Sequence, residues 1–217
     1  MSAFSFDLAL RHHLQWRRKL FHLFNGTLGF SVYVYSGLPR WIIFLILGSF
    51  VLFALLVDFL RFVSPKFNHW FCGLFQGFMR IQEAGALTSG TKGALTAYLL
   101  LLLLPYKVGL IVILFMAYGD AAGGIIGPLF GKHHLNRHAT LEGSFAVFVT
   151  CALATLFAFH FVFHDPLNGF LLVAFALLAG LVGALSEGLF PQWDDNVMMG
   201  LLSAPSVWIL MKVFQVH

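Results

Sequence analysis

Charge is scarce in this chain. Asp, Glu, Lys and Arg supply 10% of the 217 residues, against roughly 25% in soluble domains. Apolar residues supply 59%, and mean hydropathy is +0.86. An ordinary soluble domain is excluded, and the length is used up by spanning helices and short connections, so one membrane domain over 1–217 is expected. Cysteine is nearly absent: Cys72 and Cys151 lie far apart with no metal-ligand spacing, which excludes a disulfide framework or a zinc site and suits two buried small residues. No small-residue cleavage site follows the first apolar run, so the amino-terminal segment reads as a retained helix. No repeat of fixed period, nucleophile elbow, HExxH or protein-kinase set is present. The stretch "GALTSGTK", Gly85 to Lys92, has Thr-Lys where a phosphate loop needs Lys-Ser/Thr, and no strand precedes it.

What is there is long apolar runs. At ~20 apolar residues per bilayer crossing, seven candidate spans stand out: 20–36, 41–60, 93–105, 107–128, 144–163, 167–186 and 197–214. The third is short and has room to extend backwards into "AGALTSGTK". The expected class is all-α, a polytopic membrane helix bundle. Residues 61–92 mix Phe and Trp with basic residues and read as one or two interfacial amphipathic helices. With seven spans, Arg11, Arg17, Arg18, Lys19, Arg61, Lys66, Arg80, Lys92, Lys132 and Arg137 fall on one side and Arg40, Lys107 and Lys212 on the other, ten against three. The positive-inside rule then puts the amino terminus in the cytoplasm. Net charge +4 reflects that topology and anionic lipid rather than nucleic acid.

The acids sort the same way, which the rule does not require. Asp7, Asp58, Glu83, Asp120, Glu142, Glu187, Asp194 and Asp195 fall at or near the cytoplasmic edge, and only Asp165 is external. Any chemistry is therefore expected at the cytoplasmic face.

Four constellations carry candidate chemistry. In "RRKLFHLFNG", Arg18 or Lys19 suits a phosphate, with His22 and Asn25 one and two turns deeper as hydrogen-bonding groups; a basic cluster before a first span is also an ordinary topology signal. In "GDAAGGIIGPLFGKHHLNR", Asp120 sits in an apolar span, Gly123, Gly127 and Gly131 recur every fourth residue, and Lys132, His133, His134, Arg137 and His138 close the segment. The glycines suit helix packing, while acid, bare face and basic patch together suit a metal-bound polyphosphate. In "HATLEGSFA", Thr140 is a candidate helix cap, and Glu142, Gly143 and Ser144 open a helix whose amino terminus favours anions. In "SEGLFPQWDDN", Asp194 or Asp195 suits a cap, with Pro191 and Trp193 in an interfacial turn. Capping needs one acid, however, and Glu187, Asp194 and Asp195 crowd into nine residues beside Asn196. Such oxygen clusters suit Mg²⁺ shared between one or two carboxylates and substrate phosphates.

In order, these pieces resemble the membrane-embedded, CTP-using lipid kinases that include dolichol kinase, phytol kinase and the yeast-type diacylglycerol kinase. The resemblance covers about residues 17–205. It rests on Arg18, Lys19 and His22 in "RKLFH", Asp58 and Arg61 in "VDFLRF", Arg80 and Glu83 in "MRIQE" with Gly90 after it, Gly119, Asp120, Gly127 and Gly131 in "GDAAGGIIGPLFG", "LEGS", and Glu187, Asp194, Asp195 and Asn196 in "ALSEGLFPQWDDN". It departs from the family at His138-Ala139-Thr140, where a Lys-Ser or Lys-Thr often precedes Glu-Gly-Ser, so Arg137 or Lys132 would have to supply that charge.

The resemblance implies transfer of the γ-phosphate of CTP to the hydroxyl of a lipid alcohol, diacylglycerol first and a polyprenol or phytol-like alcohol next. Asp120, Glu187, Asp194 and Asp195 are the metal candidates. Asp120, Glu142, His22 and Asp195 are the catalytic candidates. Arg18, Lys19, Asn25, Gly119, Gly123, Gly127, Gly131, Lys132, Arg137, Gly143, Ser144 and Asn196 are the candidates for holding nucleotide. A cytidylyltransferase attacking the α-phosphate and an ion-coupled transporter are the competing readings, the second disfavoured because the acids gather at one rim rather than at mid-bilayer.

Overall fold

The structure is a computed structural model and describes residues 16–135, 139–164, 169–188 and 194–216. Asp7, Arg11, Arg137, His138, Asp165, Pro191 and Trp193, which the sequence singles out, lie outside the described residues.

The described residues form helices without strands, and the chain is membrane-embedded in character. Its helices are α1 (Trp16–Tyr35), α2 (Arg40–Val63), α3 (Pro65–Leu74), a 3-10 turn (Ile81–Gly85), α4 (Ser89–Leu103), α5 (Tyr106–Leu114), α6 (Asp120–Phe130), α7 (Leu141–Phe157), α8 (Gly169–Gly188) and α9 (Asp195–Val213). A π turn over Phe115–Gly119 joins α5 to α6 as one continuous helix, and another over Ala158–Phe163 extends α7.

A helix occupies each of the seven places where the sequence shows an apolar run. Among the described residues, five helices are long and apolar enough to cross a membrane: α2, the continuous α5–α6, the extended α7, α8 and α9. The other two places differ for separate reasons. Helix α4 is apolar but has only 15 residues. It begins at Ser89 because the Thr88 hydroxyl accepts a hydrogen bond from the Thr91 amide (3.2 Å), so the third run does extend back into "TSGTK". Helix α1 has 20 residues but carries Arg17, Arg18, Lys19, His22 and Asn25 in its first half.

The 61–92 segment divides by its caps. Helix α2 runs on to Val63, Ser64 caps α3 by accepting from the Phe67 amide (3.3 Å), and Pro65 stands at the first helical position, where a missing N–H costs nothing. Helix α3 is the single amphipathic helix there, exposing Trp70 and Leu74 and burying Cys72.

The centre of the bundle is α5. It is apolar on every side, and Val108 to Leu114 are all buried, as expected of a helix with neighbours all round. Helix α2 is just as apolar yet exposes Leu45, Leu52 and Leu56, the side that would meet lipid. Because lipid tails are as apolar as leucine, helices in a bilayer gain little by burying leucine against each other. They associate where small residues let backbones approach. The packing of α8 on α7 follows that rule. A Cβ on Gly180 would sit 2.6 Å from the Phe148 carbonyl oxygen, and one on Gly183 would sit 2.7 Å from Cys151 Sγ. Both cysteines are free and buried, and Cys151 is also the atom that a Cβ on Gly119 would strike.

Gly180 meets backbone rather than a movable side chain, so Gly180→Val is expected to lower stability by about 2 kcal/mol and to reduce the unfolding temperature in detergent. Gly169→Val, at a position with nothing within 4 Å of its Cβ, is the matched control. Equal unfolding temperatures for the two variants would refute the close α7–α8 contact.

Candidate functional site

Consecutive helical positions point ~100° apart, and Arg18 and Lys19 reach to different elements. The Lys19 ammonium donates to Asp120 Oδ1 (2.6 Å) and to the Asp120 carbonyl oxygen (3.1 Å), joining α1 to the start of α6. Arg18 donates to Ser89 Oγ (2.5 Å) and pairs with Glu83 Oε1 (3.1 Å), joining α1 to the start of α4 and to the 3-10 turn. Both cations are buried.

Asp120 follows directly on the π turn Phe115–Gly119, the kind of local over-wide turn often found at functional sites. Gly124 completes the Lys19 contact. A Cβ there would overlap Cε of Lys19, so the flexible end of that side chain runs past the bare face of Gly124 on its way to Asp120.

The acidic stretch at 194–196 closes the cluster. Ser89 Oγ donates to Asp194 Oδ2 (2.6 Å), with Lys92 Nζ 3.7 Å from the same oxygen. The other Asp194 oxygen accepts from the Asn196 amide (3.2 Å), so Asp194 is the cap of α9. Asp195 instead meets Arg80 (3.0 Å). The second acid is thus accounted for by an ion pair reaching back 115 residues. Glu187, at the end of α8, has a buried Oε2 without a hydrogen-bond partner. Its Oε1 lies 3.2 Å from where a Gly123 Cβ would stand, and it is close enough to Asp120, Asp195 and Lys19 to feel all three charges.

A second network supports the first. Arg61 pairs with Asp58, donates to the Glu83 carbonyl (2.6 Å) and to Asn68 Oδ1 (3.0 Å), and lies over the Phe71 ring; Asn68 donates to the Ala84 carbonyl (2.8 Å). The Asp58 carboxylate also accepts from the Thr88 amide (3.0 Å). Arg61 and Asp58 therefore hold the 3-10 turn that presents Glu83 to Arg18.

Next to this cluster a cavity of about 820 Å³ lies between α1, α2, α3 and α4. Most of its wall is apolar, while His22, Asn25, Ser89 and Asn196 line one end. Ser89 belongs to both the cavity and the ionic cluster, and His22 is within electrostatic reach of Arg18, Lys19, Asp120 and Asp194.

The other sequence candidates lie elsewhere. Glu142, in the first turn of α7, is held by His133, whose Nδ1 is 2.7 Å from its Oε1 and whose amide donates to Oε2 (3.3 Å). Thr140 is the cap of α7, accepting from the Gly143 amide (3.1 Å). Ser144 follows in that turn, half-buried, and Lys132 is exposed on the α6–α7 loop. The bare faces of Gly119, Gly123, Gly127 and Gly131 are taken up by protein. They abut Cys151 and Met199, Val147, Thr140 and Gly143, and Thr140 respectively. Helix packing therefore accounts for their spacing, and Gly124, outside that every-fourth pattern, is the glycine that serves an ionic contact. Among the described residues, no group of three or more His, Cys, Asp or Glu is arranged to hold a metal by itself.

Sequence reasoning missed Ser89, Lys92 and Gly124. Ser89 and Lys92 sit in the stretch set aside for lacking a phosphate loop, and the signal available was two hydroxyls and a lysine opening a helix. No protein-family model, curated protein or solved structure matches this chain.

Removing one partner of a buried pair strands the other charge. Lys19→Met is expected to cost about 3–5 kcal/mol, and adding Asp120→Leu to recover most of it, read as unfolding temperature in detergent. A double variant no more stable than the single would refute the pairing. Gly124→Ala, which pushes only the flexible end of Lys19, is expected to leave the unfolding temperature within a few degrees of the parent. A collapse of stability there would mean that Gly124 packs against backbone instead.

Proposed function

We propose that the chain is a membrane-embedded lipid kinase that transfers the γ-phosphate of a nucleoside triphosphate, CTP first, to the hydroxyl of a lipid alcohol. Diacylglycerol is the first choice, and a polyprenol or phytol-like alcohol comes next. The observation that carries the reading is that an apolar cavity and a buried cluster of opposite charges share one wall, at Ser89 and beside His22. Phosphoryl transfer asks a protein for positive charge and positioning rather than for covalent chemistry. Here both are at the polar end of a space fit for an aliphatic chain.

The roles follow from the geometry. Arg18, Lys19, Arg80 and Lys92 are the cations available to phosphate oxygens, each held in place by an acid or hydroxyl. Binding of a triphosphate exchanges partners, the basic groups turning to phosphate and the carboxylates being released. Asp120, Asp194, Asp195 and Glu187 are hard oxygen donors of the type Mg²⁺ takes, and the unpartnered Glu187 oxygen fits that demand. One or two of these carboxylates would hold such an ion together with substrate phosphates, and when bound it would supply positive charge to the phosphoryl oxygens. His22 and Asn25 position the lipid hydroxyl, and Asp120 or Asp195 accepts its proton. Glu142, tied to His133, has a supporting part at the loop.

We place seven helices across the bilayer with the amino terminus in the cytoplasm, because ten of thirteen Lys and Arg residues then face inward. Helix α1 crosses with its buried cations already neutralised by partners. The site then faces the cytoplasm, where nucleotide is available.

Membranes carrying the protein, incubated with diacylglycerol and CTP, are expected to place γ-label but not α-label in lipid, as read by thin-layer chromatography. Transfer of α-label would instead mean a cytidylyltransferase. Solute flux in proteoliposomes without nucleotide, with no label in lipid, would mean a transporter. Asp120→Asn is expected to lower the labelling rate by about a hundredfold or more, and full activity in that variant would overturn the site assignment.

A further inference from the structure

The shape of the cavity carries more than its existence. Its wall runs along α1 from Phe21 to Val32 and along α2 from Ile46 to Leu60. At ~1.5 Å per residue these stretches are about 17 and 21 Å long, so the space is a channel parallel to the helices rather than a round pocket. One end is polar, with His22, Asn25 and Asn196; the other, near Val32 and Ile46, is apolar. A volume of about 820 Å³ holds roughly 27 groups of methylene size, taken as ~30 Å³ each from the room one water occupies in the liquid. One full-length tail and a polar head occupy most of it, and the cleft is open along the side where Leu28, Phe50 and Phe53 are exposed, so a second tail has the bilayer to lie in.

Charge on the wall selects the head. Asp58 and Glu83 line the cavity, and no lysine or arginine does among the described residues. Both acids are paired, Asp58 with Arg61 and Glu83 with Arg18, so a phosphate-bearing head entering here would have to displace an acid from an arginine to find a counter-charge. A neutral hydroxyl meets an imidazole and two carboxamides, which can hydrogen-bond to it whatever its orientation.

Gly29 has a particular place. It lines the cavity two turns beyond His22, and a Cβ built on it meets nothing within 4 Å. A side chain there would enter the channel instead of displacing protein. Gly26, one turn earlier, differs, because a Cβ on it would collide with Ala117.

We infer that the channel between α1 and α2 takes a single aliphatic tail of a neutral lipid alcohol, hydroxyl towards His22, Asn25 and Asn196 and tail end towards Val32 and Ile46. Gly29 sets the length of tail admitted. This rests on the lipid-alcohol reading above, and it adds that a second tail, where the lipid has one, stays in the bilayer. Discrimination between lipids is then by the length of one tail and the neutrality of the head.

The test uses the full-length protein in phosphatidylcholine nanodiscs with a diazirine-tailed oleoyl diacylglycerol, without nucleotide. Photolabel is expected on channel residues such as Val32, Ile46 and Leu47. Unlabelled dioleoylglycerol should compete, and dioleoyl phosphatidate should not. Gly29→Trp is expected to lower oleoyl labelling about tenfold while dioctanoylglycerol binding is kept. Gly29→Leu gives a smaller loss in the same direction and stands in should the tryptophan variant not fold, and Gly169→Trp changes neither. Label spread over outward residues such as Leu52 and Leu56 would overturn the inference. So would equal competition by phosphatidate, or Gly29 variants indifferent to tail length. Channel labelling as expected with no γ-label in lipid would instead sink the kinase reading and leave the tail site standing.

Discussion

Every part of this bundle depends on buried charges being neutralised across helices. Moving one ion from water into a low-dielectric interior costs several kcal/mol even after relaxation, and the protein does this with Arg18, Lys19, Asp58, Arg61, Arg80, Glu83 and Asp120. Each has a partner on a different element or a different turn. Lys19 needs Asp120, so α1 must lie against α6; Arg18 needs Glu83 and Ser89, so the 3-10 turn and α4 must come to the same end. These pairs fix which helix ends meet, a choice that apolar contact alone leaves open in a bilayer, where leucine gains little by leaving lipid for protein.

The glycines divide the remaining work. Gly119, Gly123, Gly127, Gly180 and Gly183 bring helices close enough to exclude both lipid and ligand. Gly124 makes room for one side chain, and Gly29 leaves room for none of the protein's own atoms. The same residue type thus closes one side of the bundle and leaves a channel on the other. The channel opens beside the ionic cluster, and that adjacency, more than any single residue, is the ground for proposing lipid phosphorylation.

Much of this was legible beforehand, for identifiable reasons. Long apolar runs between turn residues become helices wherever they sit, because a backbone in lipid must satisfy its own hydrogen bonds; a helix stands at each of the seven predicted places. The Thr140 cap and the buried cysteines were readable too, the first from a short-range rule and the second from elimination. Among the described residues, five helices carry the length and apolarity of a crossing. Helix α1 lacks the apolarity because its first half is spent on the ionic cluster, and α4 lacks the length because it runs only from the Thr88 cap to Leu103, with Pro105 just beyond. The acidic stretch was legible as unusual but not as divided: Asp194 became a cap and Asp195 an ion-pair partner.

The sequence alone determined the solvent of this protein, its helical class, the helix positions and the residues too polar to be there without purpose. Those follow from composition and local hydrogen bonding, which act over a few residues. Tertiary structure alone decided that Ser89 would bridge Arg18 to Asp194, that Glu142 would turn to His133 rather than to Asp120, that four glycines would pack while Gly124 admits Lys19, and that α1 and α2 would part around a channel. These depend on contacts between residues as many as 115 positions apart, where spacing along the chain says nothing about distance. What decides them is the cost of leaving a buried charge alone.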